Sequence, residues 1–274
     1  MNEENNIIEE ENDKWQAPPP PEKIEVEAKE PPQMSEAATL LNIFIEPGKT
    51  FEDLRRKPRF IMAGLIILIL ATGYFFALQQ KVGEENMRRE TMQQLEKNSQ
   101  FASLTPEQKK QSINMQMNIQ KYSGFAFPII LIIMFLLGGL FYWLGVKVMG
   151  GSAGYLQGLS VYIYSWLPPA VVASIANFII LFLKSPDEIN FISGQKGLIR
   201  ANPTMFFDGK DSPVLTTLLS TIDLFAIWGL ILAAIGLHIV GKISKGAAWA
   251  IVLIITLIGI TWRVVQAYLS GVPV

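Results

Sequence analysis

Residues 42–80 read NIFIEPGKTFEDLRRKPRF, followed directly by IMAGLIILILATGYFFALQQ. From Phe60 to Leu78 the chain carries no charged side chain over 19 residues. As an α-helix this stretch is ~28 Å long, close to the ~30 Å thickness of the hydrocarbon core of a bilayer. The stretch therefore predicts a first membrane span at about residues 60–79.

The composition agrees with a membrane protein. Half of the residues are hydrophobic, the mean hydropathy is +0.30 and only 17% are charged, whereas soluble domains usually carry more charge. The net charge of −1 gives no reason to expect a nucleic-acid partner. The chain has no cysteine and a single histidine, His238, so we expect no cysteine- or histidine-based metal site, no cofactor and no catalytic residue.

The rest of the chain predicts an all-α membrane protein, a helical bundle of five spans. The polar segment 80–124 predicts an external helical hairpin whose second arm starts at Thr105-Pro106, with threonine as the cap and proline at the first position. Glycines in the second span favour close helix approach. The later spans are expected at about 125–146, 159–183, 214–240 and 247–269. The glycines of the second span are Gly138, Gly139 and Gly145. Four methionines are expected to pack inside the hairpin, namely Met87, Met92, Met115 and Met117.

Residues 1–34 are acidic and rich in proline, which predicts a disordered cytoplasmic tail. Such a tail either recruits a cytosolic protein partner or is simply solvated. Residues 35–274 form the membrane domain, which begins with a short helix at 35–46 that is too short to span and is expected in the interface. Ser35 can cap this helix, Pro47-Gly48 ends it, and Thr50 with Asp53 fits a capping box that starts a new turn.

Basic residues concentrate in the short segments on one predicted side of the membrane. Because such residues tend to stay in the cytoplasm, the pattern predicts a cytoplasmic N-terminus and, with five spans, a C-terminus outside. The longer external loops hold basic residues that acidic residues nearly match. The orienting residues are Lys49, Arg55, Arg56, Lys57, Arg59, Lys147, Lys242 and Lys245.

Pro168-Pro169 lies in the middle of the third span. Each proline lacks an N–H and clashes with the preceding turn, which leaves the carbonyls of Tyr164 and Ser165 without their usual partners. A broken helix at this depth forms a ligand or ion site in some transporters. The alternative is a bend that only shapes the packing of the bundle.

Asp223 and Arg263 are charges well inside the predicted fourth and fifth spans. An unpaired charge at the bilayer centre costs at least ~2.5 kcal/mol, and the depths of the two residues differ by only about one helical turn. We therefore predict an ion pair between them. The alternative is that Arg263 reaches the headgroups and Asp223 meets water separately.

Three passages resemble the Yip family, membrane proteins named for interacting with Ypt/Rab-type GTPases. They are FIEPGKTFEDLRRKPRF at 44–60, VYIYSWLPP at 161–169 and IDLFAIWGLILAAIGL at 222–237. The resemblance covers about Leu41 to the C-terminus, is strongest to bacterial-type members, and implies five spans with a cytoplasmic N-terminus in the bacterial plasma membrane. The family-motif residues are Pro47, Phe51, Tyr164, Pro168, Trp228 and Gly236.

Eukaryotic members of this family take part in vesicle traffic, and their usual Asp-Leu-Tyr-Gly-Pro signature is absent here. Phe44-Ile45-Glu46-Pro47-Gly48 stands nearby instead, which argues against GTPase binding. The sequence favours a non-catalytic membrane protein that organises or recruits partners. The alternative is a channel or transporter for an ion or small solute, built around Pro168-Pro169 and Asp223. An intramembrane enzyme has no nucleophile–base pair or metal-ligand spacing to support it.

Overall fold

The computed structural model describes residues 31–96, 99–206 and 212–273. Five of the helices in this part of the chain are long and apolar enough to cross a membrane, namely α3, α5, α6, α9 and α10 as defined below. This confirms the predicted all-α, five-span fold, whereas most of the predicted tail falls outside the described residues. In chain order the helices are α1 (Glu36–Asn42), α2 (Pro47–Arg56), α3 (Ile61–Glu96), α4 (Ser99–Ala102), α5 (Pro106–Val148), α6 (Tyr155–Leu183), α7 (Phe191–Gly194), α8 (Pro213–Thr221), α9 (Leu224–Gly241) and α10 (Lys245–Ser270).

The predicted hairpin is formed by extensions of the first two spanning helices. Helix α3 continues well past its apolar part, with one non-helical residue at Gly83, and α5 starts far before its own apolar part. Thr105 caps α5 as predicted, and with Gln108 it forms a capping box, which goes beyond the prediction. Met87 and Met117 pack in the hairpin. Met92 and Met115 are exposed, so the packing prediction is wrong for these two.

Glycines bring α5 close to its neighbours, as the sequence predicts. A Cβ built at Gly139 would lie 2.7 Å from the Leu159 Cα, and one at Gly138 would lie 2.3 Å from the Tyr162 ring. A Cβ at Gly145 would lie 2.6 Å from Ile251 of α10. Because real Cβ atoms do not approach so closely, a larger residue at any of these positions would force its neighbour to shift, and at Gly139 that neighbour is backbone.

The connection between α6 and α8 folds onto the hairpin end of the bundle. The Tyr74 hydroxyl donates to the Gly194 carbonyl at 2.9 Å, and the Glu90 carboxylate accepts from the Phe191 N–H at 2.7 Å. Asn177 at the end of α6 accepts from the N–H groups of two further residues of this connection, Leu198 and Ile199. Backbone groups that would otherwise lie unpaired beside the bundle are thereby satisfied.

Helices α1 and α2 form a folded cap at the opposite end. We call residues 33–57 the N-terminal cap. Helix α2 packs against α9 and α6, and the Gln157 side chain at the start of α6 donates to the Arg55 carbonyl at 2.6 Å. Ser35 caps α1 as predicted. Pro47, however, is the first residue of α2, a position where proline is favoured because no N–H is needed there.

The predicted start of a helix at Thr50 is therefore wrong. Thr50 and Asp53 lie inside α2 and are both buried. The fourth span also differs from its predicted range of 214–240. It is divided into α8 and α9, and Asp223 is the N-cap of α9. A carboxylate that accepts the first free N–H groups starts a new helix here, although the apolar pattern continues across the break.

Candidate functional site

The family-motif residues of the cap meet those of the bundle at one contact. The Phe51 ring is fully buried and lies against Gly236 of α9, where a Cβ would be 2.8 Å from the ring and 2.7 Å from Val161 of α6. Tyr164 is buried in the same core cluster. Phe51 thus enters a notch that the missing side chain of Gly236 leaves open, which fixes the cap against α6 and α9.

A buried ion pair closes the cap beside this contact. Asp53 Oδ2 lies 3.4 Å from Arg59 Nη1, with side-chain exposures of 1% and 11%. Oδ2 has this cation as its partner but no hydrogen bond in good geometry. The other oxygen, Oδ1, accepts from the N–H groups of Gln33 and Met34. One carboxylate therefore joins the start of the cap to Arg59, which lies two residues before the start of α3.

Arg59 also donates to α1. Its Nη1 lies 2.8 Å from the Thr39 hydroxyl, which in turn donates to the Ser35 carbonyl at 2.8 Å. Thr39 is fully buried. Charged groups of low exposure are stabilised only when they are paired and hydrogen-bonded, and here the guanidinium has both a carboxylate and a hydroxyl.

The Tyr164 hydroxyl faces this network from α6. It has no hydrogen-bond partner among the described residues, and it lies within electrostatic range of Asp53 and Arg59. A buried hydroxyl without a partner is uncommon in folded proteins. The junction of cap and bundle therefore combines a charge pair, a threonine hydroxyl and an unpaired phenol.

Pro168 and Pro169 lie inside α6, which continues to Leu183 as a single helix. A separation into two half-helices, as a transporter site of this kind requires, is not seen at these prolines, because the flanking turns keep helical geometry. The bend itself stays a prediction. The carbonyl of Ser165, one turn before Pro169, faces Gly229 of α9, where a Cβ would be 3.6 Å from that oxygen.

Asp223 and Arg263 have different partners. The Asp223 carboxylate accepts from the N–H groups of Phe225 and Ala226 at 2.9 and 3.2 Å. Arg263 Nη2 donates to the Ser220 hydroxyl at 3.1 Å. The predicted ion pair is not among the contacts of the described residues, because Asp223 caps a helix. Helix α10, which carries Arg263, packs on both α8 and α9.

Arg263 also influences a lysine in the connection before α8. Burial, and to a smaller extent the nearby Arg263 guanidinium, lower the pKa of Lys196 from its ordinary value.

No group of three or more His, Cys, Asp or Glu side chains that could hold a metal ion lies within the described ranges.

Comparison with known proteins identifies the family. The model of the Yip1 domain matches residues 41–264, most of the chain. This chain belongs to the Yip1 domain family. The resemblance drawn from the three sequence passages is thus confirmed. A similar relative is the membrane protein YknW of Bacillus subtilis (strain 168), 29% identical over 216 residues that cover 78% of this chain and 84% of YknW. No solved structure matches.

Within this Yip1 domain, the structure brings only some of the motif residues together. Phe51 and Gly236 touch, and Tyr164 lies in the same cluster. Pro168 lies about one turn further along α6 than Tyr164, and Trp228 lies two turns before Gly236 on α9. The motif thus marks a helix interface that runs from the cap into the bundle.

Sequence reasoning did not identify Asp53, Arg59 and Thr39 as a network in the Yip1 domain. The sequence indicates Arg59 only as an orienting charge and Asp53 only as part of a capping box. The sequence does contain a signal for this network. Asp53 is an acidic residue beside the buried Leu54, and the cation Arg59 follows Pro58, the proline after the end of the helix.

Proposed function

We propose that this Yip1 domain protein is a non-catalytic multi-pass membrane protein that organises or recruits protein partners at the bacterial plasma membrane. Its N-terminal tail is in the cytoplasm and its C-terminus outside. The observation that supports this proposal is the cap. Asp53 of α2 accepts hydrogen bonds from the backbone N–H groups of Gln33 and Met34, the last residues of the predicted tail.

The two surfaces of the cap also support this proposal. Leu41 and Ile45 are 71% and 80% exposed, which suits insertion into the membrane interface. The same cap carries Lys49, Arg55, Arg56 and Lys57, and cations favour the cytoplasmic leaflet. The cap thereby keeps the tail at the membrane surface, where a cytosolic partner can be held next to the bundle.

The test compares the full chain with a variant in which residues 1–30 are replaced by a Gly/Ser linker of equal length. A photo-crosslinking residue in the tail of the full chain, or at the matching place in the linker, is activated in living cells. We expect partners that crosslink to the full chain and are lost with the linker, whereas Asp223→Asn retains them. The same partners with tail and linker would contradict the recruiting role.

The orientation has its own test, since the chain contains no cysteine. Single cysteines at Lys110 in the hairpin and at Lys245, the first residue of α10, both replace exposed residues. An impermeant thiol reagent applied to intact cells should label Lys110→Cys strongly and Lys245→Cys only after lysis. The opposite pattern would contradict the proposed orientation.

A second candidate is a channel or transporter for an ion or small solute. The observation that favours it is the interruption between α8 and α9, where Asp223 starts a helix in the middle of an apolar segment. A flux assay in liposomes separates the two candidates. Flux that Asp223→Asn abolishes would favour transport, and no flux above empty liposomes would favour recruitment.

A further inference from the structure

An exposed row of apolar side chains follows one face of α5 from the hairpin into the membrane-spanning part. We call Met115, Ile119, Tyr122, Ala126, Ile129 and Ile133 the α5 stripe. Successive members are four and three residues apart in strict alternation, which is the heptad spacing of a coiled-coil seam. The five large members are between 49% and 62% exposed.

The opposite face of α5 is the one that packs within the protein. Ile113, Met117, Gln120 and Gly124 are buried, and a Cβ at Gly124 would lie 3.0 Å or less from the rings of Phe75 and Phe76 of α3. Helix α5 thus has two faces of helical spacing. In the part of the chain that the structure describes, one face packs against other elements and the α5 stripe stays exposed over five turns.

Lipid does not account for the first half of this stripe. Met115, Ile119 and Tyr122 precede the predicted start of the second span at residue 125, and with Gln111, Asn114 and Asn118 they line a shallow groove on the hairpin. Exposed apolar rows outside the bilayer mark interaction sites. With Phe125 beside it, the stripe offers on the order of 600 Å² per copy, taking ~200 Å² for a large side chain, near the ~800 Å² per partner of a standard interface.

The positions that flank the stripe carry no charge. Gln111, Gln116, Asn118 and Ser123 lie beside the seam, and Lys121 lies one position further away from it. Two copies of this face can therefore approach without bringing like charges together, and the amides can form hydrogen bonds across the seam. Ala126 and Ser123 let the backbones approach where the pair enters the bilayer.

We propose that a second copy of this chain covers the α5 stripe. Because both copies enter the membrane in the same direction, the two α5 helices run parallel, and a two-fold axis perpendicular to the membrane relates them. The hydrophobic effect stabilises the outer half of the seam, and close packing stabilises the inner half. A spacing of 3.5 residues gives the pair a left-handed supercoil.

The test uses disulfide crosslinking in native membranes, since the chain has no cysteine of its own. Met115→Cys and Tyr122→Cys place one thiol of each copy at the seam, whereas Lys121→Cys places it on an exposed neighbouring position. Two cysteines whose Cα atoms are more than ~7 Å apart do not form a disulfide. We expect a dimer band for the two stripe variants at least tenfold stronger than for Lys121→Cys.

A second measurement does not depend on crosslinking. Ile119→Arg should convert purified dimers to monomers in mass photometry at the same melting temperature, whereas Met92→Arg, at an exposed methionine of the same hairpin, should leave the mass unchanged. Equal crosslinking of Lys121→Cys and Tyr122→Cys would overturn the proposal. The absence of a dimer band from the stripe variants, as expected if a different protein covers the stripe, would also overturn it.

Discussion

The ion pair of the cap makes a quantitative prediction. Asp53 and Arg59 are 1% and 11% exposed and 3.4 Å apart, so removing either charge leaves the other uncompensated at low exposure. Breaking such a pair costs about 3–5 kcal/mol. We take the lower value, ~3 kcal/mol, because Arg59 keeps its Thr39 hydrogen bond and Asn at position 53 can still accept from Gln33 and Met34.

The assay measures local opening of the cap. Thr50→Cys introduces a single thiol at a fully buried position of α2, and its labelling rate in detergent or nanodiscs reports the free energy of opening. Asp53→Asn or Arg59→Gln should each accelerate labelling about 100-fold, since 1.4 kcal/mol corresponds to a factor of ten. In the double variant the free energy of opening should change far less than the sum of the two single changes, with a coupling energy of about 1–3 kcal/mol.

A matched control lies in the same segment. Lys49 and Glu46 form an ion pair at 2.9 Å, but their side chains are 65% and 46% exposed. Glu46→Gln should therefore change labelling by less than about fivefold, because exposed pairs contribute at most ~1 kcal/mol. Effects of the two Asp53 and Arg59 substitutions that simply add would refute the reasoning, because they would show that each residue acts through separate contacts.

Two further predictions concern the spans. Gly139→Ala should lower the free energy of unfolding by about 1–3 kcal/mol, because the new Cβ would meet the Leu159 backbone. Thermal melting in detergent measures this loss, and Gly259→Ala is the control because the space around Gly259 is open. Equal melting temperatures of the two variants would contradict the close contact at Gly139. Asp223→Ala should lower the free energy of unfolding by ~1 kcal/mol because the helix cap is lost, and Asp223→Asn should lower it less. When either change is combined with Arg263→Gln, the two losses should add. A coupling energy above ~1 kcal/mol would instead support an ion pair between Asp223 and Arg263.

The spans and the hairpin could be predicted from the sequence because their signals are local. Long uncharged runs indicate the spanning helices, and Thr105-Pro106 indicates the start of α5. The network of the cap could not be predicted in this way. Asp53 meets Gln33 and Arg59 meets Thr39 across about 20 residues, and only the docking of α1 and α2 on each other and on the bundle brings these groups together.

The division of the fourth span into two helices could not be predicted from the local sequence pattern either. Thr221-Ile222-Asp223 contains neither glycine nor proline, and apolar residues continue on both sides. Asp223 was interpreted as a membrane charge in need of a cation, although an aspartate is equally suited to the start of a helix. The choice between the two roles depends on the path of the backbone. At the prolines of α6 the local signal is strong, yet α6 continues through them as one helix, and the predicted bend stays a prediction.

Gly83 has a mechanical consequence for the protein. It is the one non-helical residue within α3, with φ 77° and ψ 160°, and no atom lies within 4 Å of a Cβ built there. Without this joint, α3 would be one straight rod of ~54 Å that begins two residues after Arg59, so the direction of α3 at the cap would also fix the direction of the hairpin. The joint at Gly83 separates the two directions. The outer arm is held instead by its own contacts, among them the hydrogen bond from the Phe191 N–H to the Glu90 carboxylate.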